Sequence, residues 1–229
     1  RYARAFCDDG SAVGVAGNEE CEIDLLAQSF AAMTMGRTPE TERAMFTAYE
    51  KLFDRTHGIL RLFTPAFDKT RQKVGYIRSY PPGIRENGGQ YTHAAVWGAK
   101  AFFSIGRPDI GLQLINALNP AARCTDPEAA AAYRGEPYVL SADIYAARGN
   151  EGRAGWSWYT GSAGWYLRAA AECMLGLRLR RGRLYIDPPA NAPHCRIRWV
   201  DFHGAAHNIE YTGRGVLTDG KPYDGGGIG

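Results

Sequence analysis

The chain has 229 residues, with 27 lysines and arginines against 24 aspartates and glutamates, a formal charge of +3. Hydrophobic residues make up 45% and charged residues 22%, which excludes a disordered tail, a collagen-like repeat and a disulfide-dense miniprotein. So small a positive excess, with no long basic block, also argues against a nucleic-acid partner. The length suits one large domain, or one and a fraction. Cys7, Cys21, Cys124, Cys173 and Cys195 are odd in number and have no C-x-x-C spacing, so free thiols in a reducing, cytoplasmic setting are expected. No apolar run reaches the ~18 residues of a transmembrane helix. The opening at Arg1, with no signal-peptide pattern, leads to the expectation of a piece of something longer.

Ile23, Leu26, Ala27, Phe30 and Met33 recur at helical spacing, so residues 19–36 read as a helix ended by Gly36. Thr38 and Pro39 form an N-cap and first-turn pair opening a second helix to about Arg55. Residues 56–88 are turn-rich, a long connection of the kind that often carries function. Residues 89–105 are apolar nearly all round and predict a buried helix. A one-sided helix over 108–118, a short one over 126–134 and a second nearly all-apolar one over 161–175 follow. This order predicts two layers, an inner ring of helices wrapped by an outer one. Beyond Gly176 the period shifts from about 3.6 residues to about 2. Leu177 and Leu179, then Cys195, Ile197 and Trp199, then Ile209 and Tyr211 alternate with polar residues, as in antiparallel strands with one covered face. The glycine-rich tail is expected to fray. The class is mainly α, with helices over 1–176 and a few strands over 177–229.

Both all-apolar helices are led in by glycine. Arg85-Glu86-Asn87-Gly88-Gly89-Gln90-Tyr91-Thr92-His93 precedes the first, and Gly155-Trp156-Ser157-Trp158-Tyr159-Thr160-Gly161-Ser162 the second. Glycine lets backbone approach a ligand, first-turn amides are unpaired, and the helix dipole adds about half a positive charge. Such a start suits a phosphate or other anion. His93 adds an imidazole N–H, Thr160 and Ser162 add hydroxyls, and Trp156, Trp158, Tyr159 and Tyr91 offer flat faces for sugars. The plainer account, with glycines for close packing, hydroxyls as caps and His93 as a core residue, stays open here. Among the carboxylates, Asp24 reads as a structural partner. Glu86 reads as an acceptor for sugar hydroxyls or a partner of Arg85, and Glu136 and Asp143 complete the set. His57, His194, His203 and His207 have no metal-ligand spacing, so no metal is expected. There is no Ser-His-Asp signature, P-loop or dinucleotide fingerprint.

Four segments then carry a resemblance: Glu22-Ile23-Asp24-Leu25-Leu26-Ala27-Gln28-Ser29, the run from Tyr80 to Ala94, Glu136-Pro137-Tyr138-Val139, and the run from Trp158 to Trp165. They resemble the glycoside hydrolase family 94 phosphorylases, a group that includes cellobiose and chitobiose phosphorylases, and in particular the phosphorylase-like C-terminal region of cyclic β-1,2-glucan synthases. The similarity runs from about residue 1 to residue 190. It implies an (α/α)6 barrel with β-sandwich material around it, and inverting phosphorolysis of a β-glucosidic bond to α-glucose 1-phosphate. It further implies that His93, Thr160 and Gly161 bind the attacking phosphate. Glu86, with Arg85, would hold the glycosyl unit beside the scissile bond, and Glu136 is placed with them as a sugar-binding candidate. The partners implied are a β-glucan or β-glucoside and phosphate, the latter a substrate, with no cofactor.

The departures matter as much. The family's general acid is an aspartate in an Asp-Trp-Asn-Asp type segment, expected upstream of Arg1, so no catalytic acid is assigned within this chain. Twelve helices make such a barrel and about six are readable here. Residues 1–176 are therefore expected to be the C-terminal half of an α/α barrel, and 177–229 a partial β-sandwich cap. Exposed inner-ring surface would then call for the missing N-terminal half or for self-association. A cyclic glucan synthase parent would sit at the inner membrane. Two alternatives remain: an inverting (α/α)6 hydrolase, which needs a second carboxylate to activate water, and a non-catalytic glucan-binding module.

Overall fold

The computed structural model describes residues 1–69, 74–158 and 160–229, with Thr160 by its backbone alone. The chain forms two compact units, Arg1–Tyr166 and Leu167–Gly229. The division falls ahead of the change of period at Gly176.

The first unit opens with a hairpin of β1 (Ala5–Phe6) and β2 (Ala12–Val13). Strand β3 (Ile23–Asp24) leads directly into α1 (Leu25–Met35). The helix begins later than its periodicity predicts because the Asp24 carboxylate caps it, accepting from the Leu26 and Ala27 amides. Gly36, at φ 69°, ends it. Thr38 and Thr41 form a reciprocal capping box at the start of α2 (Pro39–Leu52), with Pro39 in its first turn. Strands β4 (Phe53–Asp54) and β5 (Ile59–Leu60) pair with each other, and β6 (Phe63–Thr64) returns to β3. A 3-10 turn over Gly75–Ser79 precedes β7 (Gln90–Tyr91) and α3 (Thr92–Ser104). Next come α4 (Pro108–Leu118) and the Asp126-capped α5 (Pro127–Tyr133). Strand β8 (Asp143–Ile144) pairs with β7, and α6 (Thr160–Arg168) runs on into a π-helical turn over Ala169–Met174.

Helix α1 packs on α2 and α3, and α3 on α4. Ala32, Ala48, Ala95 and Ala99 are fully buried where these helices meet, and Leu25, Met45, Phe102 and Leu114 fill the space between them. Each such large side chain contributes about 1.5–3 kcal/mol by leaving water. Among the described residues the helices do not close into a ring. The second all-apolar helix differs from its reading: in α6, Gly161, Ala163 and Gly164 are exposed. Only part of its surface meets a neighbour. Trp165 lies against Trp97, and the Tyr166 hydroxyl donates to the Ile115 carbonyl at 3.1 Å.

In the second unit β9 (Leu177–Arg180) and β10 (Arg183–Ile186) form a hairpin. Strands β11 (Cys195–Val200), β12 (Ala206–Thr212), β13 (Gly215–Thr218) and β14 (Lys221–Pro222) form an antiparallel sheet in that order. Leu184, Ile186, Ile209 and Tyr211 make the core these strands share, as their alternation predicts. The tail does not fray. Ile228 exchanges backbone hydrogen bonds with Leu184 at 2.9 and 3.0 Å and packs on that core. All five cysteines are free.

Candidate functional site

Asp143 ties three loops together. It is 1% exposed, and β7–β8 pairing sets it opposite Tyr91, at the foot of α3. Its Oδ2 accepts from the Arg85 amide at 3.3 Å and its Oδ1 from the Trp156 amide at 3.1 Å. Burial pushes its carboxyl above the usual range, and these contacts oppose that rise. Gly155 is required beside it, because a Cβ there would meet the carboxylate. Asp143 is thus a structural acceptor that brings the segments of Glu86, His93 and Trp156 to one place. Asp24 is structural too. Besides capping α1 it is ion-paired to Arg4, and burial raises its carboxyl despite that partner.

The loop before α3 is pinned by Asn87, which is fully buried. Its Oδ1 accepts from the Phe67 amide at 2.8 Å, and its Nδ2 donates to the Phe67 and Tyr80 carbonyls at 2.8 and 2.7 Å. Every polar group of that amide is used on the protein. Arg85 adopts φ 48°, so the chain turns sharply and the side chain lies over the rings of Trp156 and Tyr80, at 4.6 and 5.4 Å. Glu86 stays loosely held: Oε2 is 3.5 Å from Arg85 Nε, and Oε1 is 3.5 Å from the Tyr76 hydroxyl. A carboxylate so placed can accept hydrogen bonds from a ligand's hydroxyls at little cost.

The two helix starts meet. A Cβ on Gly161 would stand 3.7 Å from His93 Cε1 and 3.8 Å from Nδ1. Both helices therefore present their first turns to the same space, one with an imidazole and the other with open backbone. His93 Nε2, Thr92 Oγ1, Trp97 Nε1 and Ser162 Oγ are buried and make no hydrogen bond among the described residues. Buried polar atoms normally have partners, so these four, on two adjoining helices, are open to a water or a ligand. Burial lowers the His93 pKa, so near neutral pH the ring offers one N–H. Trp97, one turn along α3, packs against it with ring centroids 4.4 Å apart and planes tilted by 51°, and Trp165 stands 6.2 Å away.

Of the residues singled out from sequence, His93, Gly161, Arg85 and Glu86 lie on the loops and helix starts organised by Asp143. Glu136 meets a different residue: its Oε1 accepts from Trp158 Nε1 at 3.1 Å. Hydrogen bonds, its own amide first and then Trp158 and Ser157, hold its carboxyl below the usual range. The Thr160 side chain and all of Tyr159 lie outside the described residues. Gly88 and Gly89 are buried loop positions; the helix itself starts at Thr92. Trp97 and Trp165 were not singled out, although the four-residue spacing of His93 and Trp97 marks a shared helix face. Among the described residues no group of three or more potential ligands surrounds a metal position. None of the described helices is long and apolar enough to cross a membrane.

Comparison with known proteins gives a consistent answer. The profile of the Glycosyl hydrolase 94 superfamily, catalytic domain, matches residues 1–176. The chain is 44% identical over 211 residues to the cyclic beta-(1,2)-glucan synthase NdvB of Rhizobium meliloti, covering 91% of this chain and 7% of that protein. It is 27% identical over 235 residues to the N,N'-diacetylchitobiose phosphorylase of Vibrio furnissii, covering 97% and 29%. It is 32% identical over 213 residues to the 3-O-beta-D-glucopyranosyl-beta-D-glucuronide phosphorylase of Paenibacillus borealis, covering 91% and 27%. The chain therefore spans less than a third of the length of each of these relatives.

Proposed function

This chain belongs to the Glycosyl hydrolase 94 superfamily, and from that premise we propose that it is the phosphate- and glycosyl-binding part of an inverting carbohydrate phosphorylase acting on β-glucosides. The relatives support the reaction class: two carry phosphorylase in their names and one is a glucan synthase. The observation that carries the reading is the approach of the Gly161 backbone to the His93 ring, beside buried polar atoms that lack partners.

The chemistry follows from that arrangement. Phosphate is already an anionic nucleophile, so the reaction needs one carboxylic acid to protonate the leaving oxygen and no second carboxylate to activate water. What the protein must supply instead is an anion cradle. The first-turn amides of α6 carry the positive end of its dipole, and His93 adds an N–H donor from α3. Glu86, with Arg85 beside it, accepts hydrogen bonds from hydroxyls of the glycosyl unit and fixes its anomeric carbon toward the phosphate. In this reading the helices are part of an (α/α)6 barrel, and the acid, an aspartate, comes from another part of the parent protein. Five free thiols fit a reducing compartment such as the cytoplasm.

Incubating a protein that carries this chain with β-glucoside, with and without phosphate, tests the reading. The expected product is α-glucose 1-phosphate, formed only when phosphate is present, and His93→Ala should lower phosphate affinity at least about tenfold, the loss of one charge-assisted hydrogen bond. Free glucose released equally without phosphate would replace it with the water-using hydrolase. Sugar binding with no turnover in the intact parent would favour a non-catalytic module.

A further inference from the structure

Two aromatic side chains of the first unit are exposed and take no part in the phosphate and glycosyl contacts proposed above. Tyr138 is 76% exposed and Trp158 69%. Their rings stand edge to face, with centroids 6.4 Å apart at 67°, so they form one corner rather than two stray side chains. The backbone at Trp158 is held left-handed, at φ 65°, which a bulky residue adopts only at an energetic cost and which is typical of functional positions. Glu136 fixes the indole. Its Oε1 accepts from Trp158 Nε1 at 3.1 Å and from Ser157 Oγ at 3.4 Å. Both of these side-chain donors go to Oε1.

The chemistry of the corner selects its ligand. A pyranose ring presents an apolar C–H face to an aromatic ring and hydroxyl donors to a carboxylate. An anionic ligand would be repelled by Glu136, and a wholly apolar one would leave that carboxylate desolvated and unpaired. Trp158 also stands three residues before Gly161, so at most about 11 Å separates their Cα atoms. We propose that Tyr138, Trp158 and Glu136 form a second sugar subsite, which holds one glucosyl unit of a longer glucan while another unit of the same glucan lies at Glu86, beside the phosphate at His93 and Gly161. The identity of the sugar rests on the phosphorylase reading. The subsite adds that the substrate is an oligosaccharide or polymer, not a disaccharide.

Calorimetric titration of the 229-residue chain, at saturating inorganic phosphate, with a β-linked glucose disaccharide and with oligosaccharides of four and more units tests this. Affinity should rise with length. Trp158→Ala should lower affinity for the long oligosaccharides about five- to tenfold, the area of one ring face returned to water, and bring the long-to-short ratio toward one. Tyr138→Ala should do the same by a smaller factor, and Trp158→Phe should restore part of the loss. The exposed positions make misfolding simple to detect by thermal melting, and if Trp158→Ala does not fold, the other two variants decide. An unchanged ratio in the folded variants, or equal losses for short and long sugars, overturns the subsite. So does a failure of the unmodified chain to bind long sugars better than short. A dimer that Trp158→Ala dissolves also overturns it, because the ring then covers a second copy. Phosphate titrated alone separates the two claims: no phosphate binding defeats the phosphorylase reading, whereas phosphate binding without a length effect defeats the subsite only.

Discussion

Ahead of α3, Gly88 and Gly89 are buried, and a Cβ on Gly88 would stand 2.8 Å from that of Ala66. At the start of α6, Gly161 is exposed and the nearest atoms to its Cβ would belong to the His93 ring, at 3.7 Å. Both regions read in sequence as glycine followed by an apolar helix. The first uses glycine to let the loop lie against β6 and the Arg85 backbone, which fixes where Glu86 and His93 point. The second uses glycine to keep backbone amides open. One helix start is closely packed and the other is open, and an anion site needs both: donors held in place and a path to reach them.

The largest test of that contrast is to release the rigid side. Asn87→Ala removes three hydrogen bonds and leaves a buried amide and two carbonyls of Phe67 and Tyr80 unpaired. A loss of about 3 kcal/mol in unfolding free energy is expected, measured by urea denaturation. A loss below about 1 kcal/mol would mean that the loop is not held by this side chain.

A smaller effect separates the two glycines directly. Gly88→Ala places a Cβ at φ 80° against Ala66, and a destabilisation of about 2 kcal/mol is expected from strain and overlap together. Gly161→Ala meets only ordinary contact with His93, so stability should stay within about 0.5 kcal/mol while phosphate affinity falls as the methyl group crowds the amides. Equal losses of stability in both variants would erase the distinction between the two starts.

The helices were legible because their caps and stripes are local: Thr38-Pro39 and Asp126-Pro127 open α2 and α5 within a residue or two of where periodicity places them. The strands of the second unit were legible for the same reason, through alternation. What local pattern does not carry is which apolar residues find a neighbour. Ala163 and Gly164 look like core and are exposed, whereas Ile228, at the end of a glycine run, looks frayed and is packed. Within the site, His93 and Gly161 were legible as motif positions. Asp143 was visible only as one carboxylate among several. Its role depends on backbone groups 58 and 13 residues away, a separation across which no periodicity operates.

The finest test concerns His93 itself. Burial holds its pKa below the ordinary 6.5, so the unfolded chain takes up a proton at a pH where the folded chain does not. Stability therefore gains nothing from this group above pH 6.5 and is lost progressively as pH falls from that value toward the lowered folded one. Replacing His93 with Gln should flatten that part of the profile. A bound phosphate acts in the opposite direction, because an anion beside the ring favours the imidazolium and raises its pKa. Followed by NMR, the His93 ring should titrate below 6.5 in the free chain and move upward as phosphate is added. A ring that titrates at the same pH with and without phosphate would place the anion elsewhere and leave the open glycine of α6 without its partner on α3.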